Sequence, residues 1–297
     1  MVQDDFQPIE IQHKETFDHI FLQDPPETSE LTFTNLFMWR HKYRPIWLQW
    51  EDCLLIILRP EADAPFGLPP VGPGNKSKAL ESLAEQLKQM TPAVRICRAS
   101  EDFVEAHVDH DRYESLIDRD NSDYVYHGQD LIGLSGRRYH SKKNHLNRFL
   151  KNYPFNYREM DRELVEGFLG MQEKWCQMRE CVESPELLSE DYAIREALTH
   201  FEELDYRGGA VEINAEIEAF SLGEPLNPNT AVIHIEKANP DIPGLYVAIN
   251  QLFCKNAWSP MEYVNREQDL GIEGLRRAKE SYHPHHMVNK YTLIPKE

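Results

Sequence analysis

From Gly208-Gly209 onward the apolar residues of this chain change their period, and that change limits the fold more than any single motif. Before it, residues 161–204 carry apolar side chains at helical spacing, interrupted around 182–185. After it, residues 210–213, 217–222 and 230–235 read as short strands, separated by turns at 214–216 and 224–229. A helix over 243–256, a strand over 261–264, a helix over 272–282 and a last strand over 287–293 complete this half, which opens with a strand at 155–159. That order (strand, long helix, three antiparallel strands, then helix and strand twice) belongs to an α/β lobe on a mixed sheet.

The first half is patterned differently. A helix over 13–22 and a polar turn at 24–29 lead to strands at 45–50 and 53–58, joined by Glu51-Asp52 as a hairpin. Residues 60–74 hold five prolines and three glycines and must be a loop. A helix over 75–90, with Leu80, Leu83, Leu87 and Met90 on one face, precedes a strand at 93–97, a helix at 100–108 and a strand at 123–126. A basic helix follows: Tyr139, Leu146, Leu150 and Tyr153 fall on one stripe, and Arg137, Ser141, Asn144, Arg148 and Lys151 on another. Asn152-Tyr153-Pro154 ends it. The boundary between lobes is expected here, dividing the chain into 1–153 and 154–297.

With 297 residues, 41 % hydrophobic and 28 % charged, the chain can bury two cores. Its longest apolar run is the six residues Cys53–Leu58, too short to cross a bilayer. The opening MVQDDFQPIE lacks the basic start and apolar core of a secretion signal, so a cytoplasmic protein is expected. The five scattered cysteines form no C-x-x-C pair and are expected as buried free thiols. A net charge of −18 repels nucleic acid over most of the surface and argues against duplex DNA as a partner. One segment differs: residues 131–157 contain no Asp or Glu but hold Arg137, Arg138, Lys142, Lys143, Arg148 and Lys151.

Several segments carry a family resemblance. They are His234-Ile235-Glu236-Lys237-Ala238; Gly244, Tyr246, Asn250 and Phe253; Asn265, Asp269, Gly271, Gly274, Leu275 and Lys279; and Pro284 with Lys290-Tyr291. Thr34-Asn35, Trp39-Arg40, Gly136, Lys142-Lys143-Asn144 and Phe149 add to them in the first half. The chain resembles the bacterial family similar to the C-terminal domain of phosphatidylglycerol lysyltransferase. The resemblance implies two tandem lobes of the GCN5-related N-acyltransferase (GNAT) fold, each a mixed β-sheet flanked by helices. It also implies kinship with enzymes that move an aminoacyl group from aminoacyl-tRNA to a lipid head group, and with the Fem-type transferases. Two features depart from those relatives. No membrane-spanning region is present, and the glycine-rich pyrophosphate loop of acetyl-CoA users is replaced by Ala238-Asn239-Pro240-Asp241-Ile242-Pro243-Gly244. Two prolines there remove backbone donors and Asp241 repels phosphate, which argues against ordinary acetyl-CoA binding.

The candidate site residues follow. His234 and Glu236, two apart on a strand, share a face. Glu236 is a candidate general base for an attacking amine, or else a structural partner of Lys237 or another cation. Tyr246 is placed to protonate a leaving group, or to pack with its hydroxyl bonded. Asn250, four residues on, faces the same way and can orient a carbonyl, as can Asn265. Asp269, Gly271, Gly274 and Lys279 join a strand to a helix whose first N–H groups can bind an anion or carboxylate, with Asp269 as the helix cap in the other reading. Arg137, Lys142, Lys143, Asn144 and Arg148 suit the phosphates of a donor, either an aminoacyl-tRNA acceptor end or an acyl-CoA, or those of a lipid head group. Alternatively they pair with the acidic remainder. His283, His285 and His286 lack metal-ligand spacing. The first expectation is an acyl- or aminoacyl-transferase acting on an amine or hydroxyl, at a site that the basic helix of the N-terminal lobe shares. The second is a non-catalytic protein that binds a nucleotide, an aminoacylated molecule or a lipid head group.

Overall fold

A computed structural model describes residues 6–296; Met1 to Asp5, where the N-terminal stretch weighed as a signal begins, and Glu297 lie outside the described residues. The chain packs into two compact units. The first comprises the residues up to Asp123, with Gln268–Ile272 and Met287 onward; the second comprises Tyr124–Glu267 and Glu273–His286. These units do not follow the 1–153 and 154–297 division. The strand Asp123–His127 pairs with Tyr263–Asn265 and carries the basic helix His140–Asn152 into the second unit, while the C-terminal strand Lys290–Pro295 pairs in the first sheet. Local patterning marks helices and strands but not which sheet a strand joins.

The first sheet runs in the order Gln7–Pro8, Ile46–Trp50, Cys53–Leu58, Phe66–Gly67, Ile96–Ser100, Lys290–Pro295, Tyr113–Ile117. The expected hairpin is present, with Ile46 opposite Ile57 and Trp50 opposite Cys53. All six residues of Cys53–Leu58 are buried. One face packs on the helix Lys76–Lys88 through Leu80, Leu83 and Leu87, and Asn75 caps that helix by accepting from the Lys78 N–H. The strand expected at 93–97 lies three residues later, and the strand Tyr113–Ile117 carried no recognisable pattern because it exposes Leu116 and Ile117. At the centre of this unit Lys290 is fully buried between Asp123 at 2.7 Å and Glu30 at 2.6 Å. Burial opposes ionisation of Glu30, but Lys290 and Arg98 outweigh it and hold its pKa below the usual carboxylate range.

The second sheet runs His286–Val288, Asp123–His127, Tyr263–Asn265, Thr230–Ala238, Glu216–Asn227, Arg207–Ile213, Asn156–Glu159. The single strand expected at 287–293 is therefore two, broken at Asn289, and its parts belong to different sheets. The long helical stretch is present as the helices Val165–Met178 and Pro185–Thr199, with the expected interruption between them. Between them Glu180 turns through a left-handed φ of 52°, bringing Cys176 and Cys181 into a disulfide. The expectation of five free thiols is thus corrected to three: Cys53, Cys97 and Cys254, all buried.

One irregularity of this sheet positions the site. Thr230–Ala238 and Tyr263–Asn265 pair in parallel only over 230–232 with 263–265, and beyond Val232 the two diverge. Residues 233–238 stay bonded only on their other edge, to Glu216–Asn227, past a bulge between Leu222 and Gly223. The wedge between the splayed strands is open on the backbone side, and side chains must fill it.

Candidate functional site

Alternation along Thr230–Ala238 sends neighbouring side chains to opposite faces. Lys237 takes one face, where its ammonium meets Glu190 at 2.8 Å and lies 3.6 Å from the Trp175 ring centre. It therefore does not pair with Glu236, which the adjacent-residue reading allowed. Glu236 projects into the wedge. Its Oε1 accepts from Arg266 at 2.9 Å, and its Oε2 accepts from Asn250 Nδ2 at 2.8 Å. Arg266 directly follows Tyr263–Asn265, so the ion pair bridges the splayed strands. Burial disfavours the Arg266 charge, but Glu236 beside it outweighs this and raises its pKa further.

Two atoms of this cluster are left over. Arg266 Nη1 and Asn250 Oδ1 are buried without a hydrogen-bond partner among the described residues. Asn250 is only 1 % exposed. A buried polar atom without a partner costs about 1–3 kcal/mol, and folded proteins retain few of them. Here a donor and an acceptor remain on either side of one carboxylate, which is the arrangement a bound group with one acceptor and one donor would satisfy.

Aromatic rings line the cluster. The Arg266 guanidinium lies 4.6 Å from the Tyr282 ring centre and 5.7 Å from that of Tyr126. The Tyr126 hydroxyl donates to the Lys279 carbonyl at 2.8 Å. Lys142 joins here too, its ammonium 3.9 Å from the Tyr282 ring centre. Burial, and then Arg266, push its pKa down to about 8, against the opposing pull of Glu236. Lys142 thus leaves the row of cations expected on the basic helix. The rest of that row is exposed: Arg137, Lys143, Asn144, Arg148 and Lys151 face solvent, and among the described residues no ion pair engages Arg137, Lys143, Arg148 or Lys151. The buried stripe of the helix runs through Tyr139, Leu146 and Phe149, whereas Leu150 is exposed.

The remaining candidates lie apart from this cluster. The Tyr246 hydroxyl accepts from Trp175 Nε1 at 3.0 Å. Burial raises its pKa. Asn265 Oδ1 accepts from the Glu267 N–H at 2.8 Å and shapes the turn that carries Arg266. Asp269 and Gly271 belong to the first unit: Asp269 accepts from the Gly271 N–H at 2.9 Å and from Arg119 at 3.2 Å. Gly271 needs its φ of +72°, where a Cβ would also strike Asp120 at 2.9 Å. A Cβ added at Gly274, at the start of the helix Glu273–Glu280, would meet nothing within 4 Å among the described residues. Lys279 donates to the carbonyls of Arg266 and Glu267. His283 meets the Arg138 carbonyl at 3.1 Å, and the Nδ1 atoms of His285 and His286 lie 2.8 Å apart.

The residues that sequence reading missed are Arg266, Tyr126 and Tyr282, together with the clamp on His234. Glu224 and Glu267 hold its two ring nitrogens at 2.9 and 2.7 Å. Burial disfavours the imidazolium, but the two carboxylates override it and push the pKa up to about 10. The one local signal was the Asn265-Arg266-Glu267 run at a strand end, which places charge where chain direction changes.

In the loop between the central strand and the helix Leu245–Ala257 most of the donors are already taken. Asn239 N–H bonds Glu218, Asp241 N–H bonds Asn239 Oδ1, and the Ile242 and Leu245 N–H groups bond the Asn239 and Ile242 carbonyls. Pro240 and Pro243 have none. Pyrophosphate binding of the acetyl-CoA kind finds few donors here.

A mixed sheet with two splayed central strands, one such sheet among two in tandem, defines a GNAT-like, acyltransferase-type fold. Comparison with known proteins narrows this. The family model described as "Phosphatidylglycerol lysyltransferase, C-terminal" matches residues 25–294. The chain belongs to that family. It is similar to a conserved protein of unknown function from Bacteroides thetaiotaomicron at 31 % identity, TM-score 0.91, covering 98 % of this chain and 99 % of that one. The C-terminal domain of a putative lysylphosphatidylglycerol synthetase from Agrobacterium fabrum shares the fold at 12 % identity, TM-score 0.68, over 96 % of this chain and 92 % of that one. An uncharacterized protein of Mycoplasmoides gallisepticum is 24 % identical over 60 % of this chain, a match that spans 58 % of that protein's length. No helix among the described residues is long and apolar enough to cross a membrane.

Proposed function

We propose that this protein transfers an activated acyl or aminoacyl group to an amine or hydroxyl acceptor, and that the wedge between the splayed strands of the second unit is the reaction centre. The observation that carries this reading is the unpartnered pair, Arg266 Nη1 and Asn250 Oδ1, on either side of Glu236. Arg266 donates to the acyl carbonyl, whose oxygen gains charge as the acceptor attacks. Asn250 accepts from an N–H or O–H of the bound group. Lys142, with its pKa near 8, takes the acceptor's proton, and Glu236, both of whose oxygens are engaged, holds Arg266 and Asn250 in place. The proton that Lys142 takes then passes to the leaving group. Arg137, Lys143 and Arg148, exposed on an acidic protein, bind the donor's phosphates, so that an aminoacyl-tRNA acceptor end fits better than a CoA, and a lipid head group is a fitting acceptor. Incubation with aminoacyl-tRNA labelled in the amino acid, together with phosphatidylglycerol vesicles and simple amines, tests this. Label should move to an acceptor with the wild type and stay on the tRNA with Asn250→Leu; no transfer by folded wild type to any acceptor would reject catalysis.

A second reading, a non-catalytic binder of the same ligands, draws on one observation. Two hollows, of about 620 and 300 Å³, lie in the first unit. Retention of labelled donor without product would favour it.

A further inference from the structure

The smaller hollow lies within the first unit, and its chemistry can be read independently of the transfer reading. About 300 Å³ in volume, it is walled by Pro25, Pro26, Pro69, Pro70 and Phe103. Prolines fix φ and have no N–H, so these walls are stiff and apolar before any ligand arrives. Five titratable groups face it: Asp24, Glu27, Lys76, Asp102 and His107. Asp24 is neutralised by Lys76 at 2.7 Å and also accepts from the Gly72 N–H at 2.8 Å. His107 is held toward its neutral form by burial and then by Lys76. Glu27 and Asp102 remain, with no cationic partner among the described residues. Burial and the neighbouring Asp102 both raise the Glu27 pKa, against a hydrogen bond from Ser100. The hollow therefore carries two acidic side chains that no cationic side chain of its walls pairs with. Thr28, 2 % exposed and also part of the wall, keeps its Oγ1 without a hydrogen-bond partner among the described residues.

We propose that this hollow binds a small organic ammonium ion, with its charged nitrogen between Glu27 and Asp102 and its hydrocarbon part against the prolines and Phe103. A hard divalent cation fits less well, because it demands six or more oxygen ligands. No group of three or more acidic, histidine or cysteine side chains among the described residues can hold a metal. The apolar walls would be wasted on a bare ion.

Pentylamine, pentanol and pentanoate, titrated at pH 7 against the full chain and followed through the amide resonances of Thr28 and Phe103, separate charge from shape. Pentylamine should give saturable shifts, with pentanol at least tenfold weaker and pentanoate giving none. Glu27→Gln with Asp102→Asn, both at exposed positions, should weaken the amine at least tenfold. Ala106→Trp, which plugs the hollow from an exposed helical position while keeping both acids, should abolish the shifts. Equal affinity for amine and alcohol, binding that survives either variant, or the same shifts produced by calcium alone would each overturn the proposal.

Discussion

At the scale of single residues, the site depends on which charges are held and which are poised. Lys142 sat in a basic run in the sequence, where spacing suggested a phosphate ligand. Burial beside Tyr282 and Arg266 instead makes it the cluster's titratable amine, a change no spacing rule encodes. If it accepts the acceptor's proton, transfer should rise with pH through about 8 and level off above it, since only the neutral amine can take a proton. Lys142→Met should remove that limb and most of the rate, as a pH–rate profile would show. His234 behaves oppositely. Its folded pKa of about 10 exceeds the unfolded value of about 6.5, so its contribution is complete below 6.5 and is lost as pH rises toward 10. Between those limits the folded state binds the extra proton, and stability falls by up to about 1.4 kcal/mol per pH unit from this group alone. Urea unfolding at pH 6.5 and 9 should show that slope in the wild type and not in His234→Gln.

At the scale of elements, the sequence revealed what is locally patterned and hid what is set by neighbours. The hairpin before Cys53–Leu58, the helix capped by Asn75 and the helix Leu245–Ala257 were legible because period, turn and cap agree. The strand Tyr113–Ile117 and the split at Asn289 were not, because partner strands far along the chain decide them. Arg266 escaped notice for the same reason: only the splay after Val232 turns a residue beyond a strand end into the partner of Glu236. Two glycines of the family segments separate on structural grounds. Gly244, with φ of +89°, opens the helix Leu245–Ala257, and a Cβ there would lie 2.3 Å from the His145 carbonyl oxygen of the basic helix. Gly244→Ala should cost on the order of 3 kcal/mol through strain and the clash. Gly274→Ala, in open space on a helix, should be neutral or stabilise by up to about 1 kcal/mol. Denaturant midpoints of the two variants measure the contrast directly.

At the scale of the molecule, the two sheets are not two consecutive stretches of chain. The first unit is completed only by Lys290–Pro295, inserted between Ile96–Ser100 and Tyr113–Ile117, and only then does Lys290 reach Asp123 and Glu30. A division at 153, natural from the proline that ends the basic helix, could not reveal this return. Removing residues 287–297 should therefore unfold the first unit, since it opens a sheet and strands two buried carboxylates. Loss of slow-exchanging amides across Cys53–Leu58 and Ile96–Ser100 would report it; unchanged protection there would show that the unit folds without its last strand. The central claim, that the wedge in the second unit holds the transferred group, is met most directly by calorimetric titration with a non-hydrolysable aminoacyl-adenosine amide. Asn250→Leu, matched to the wild type in thermal stability, should bind it at least tenfold more weakly, whereas equal affinity in the two proteins would place the acyl group elsewhere.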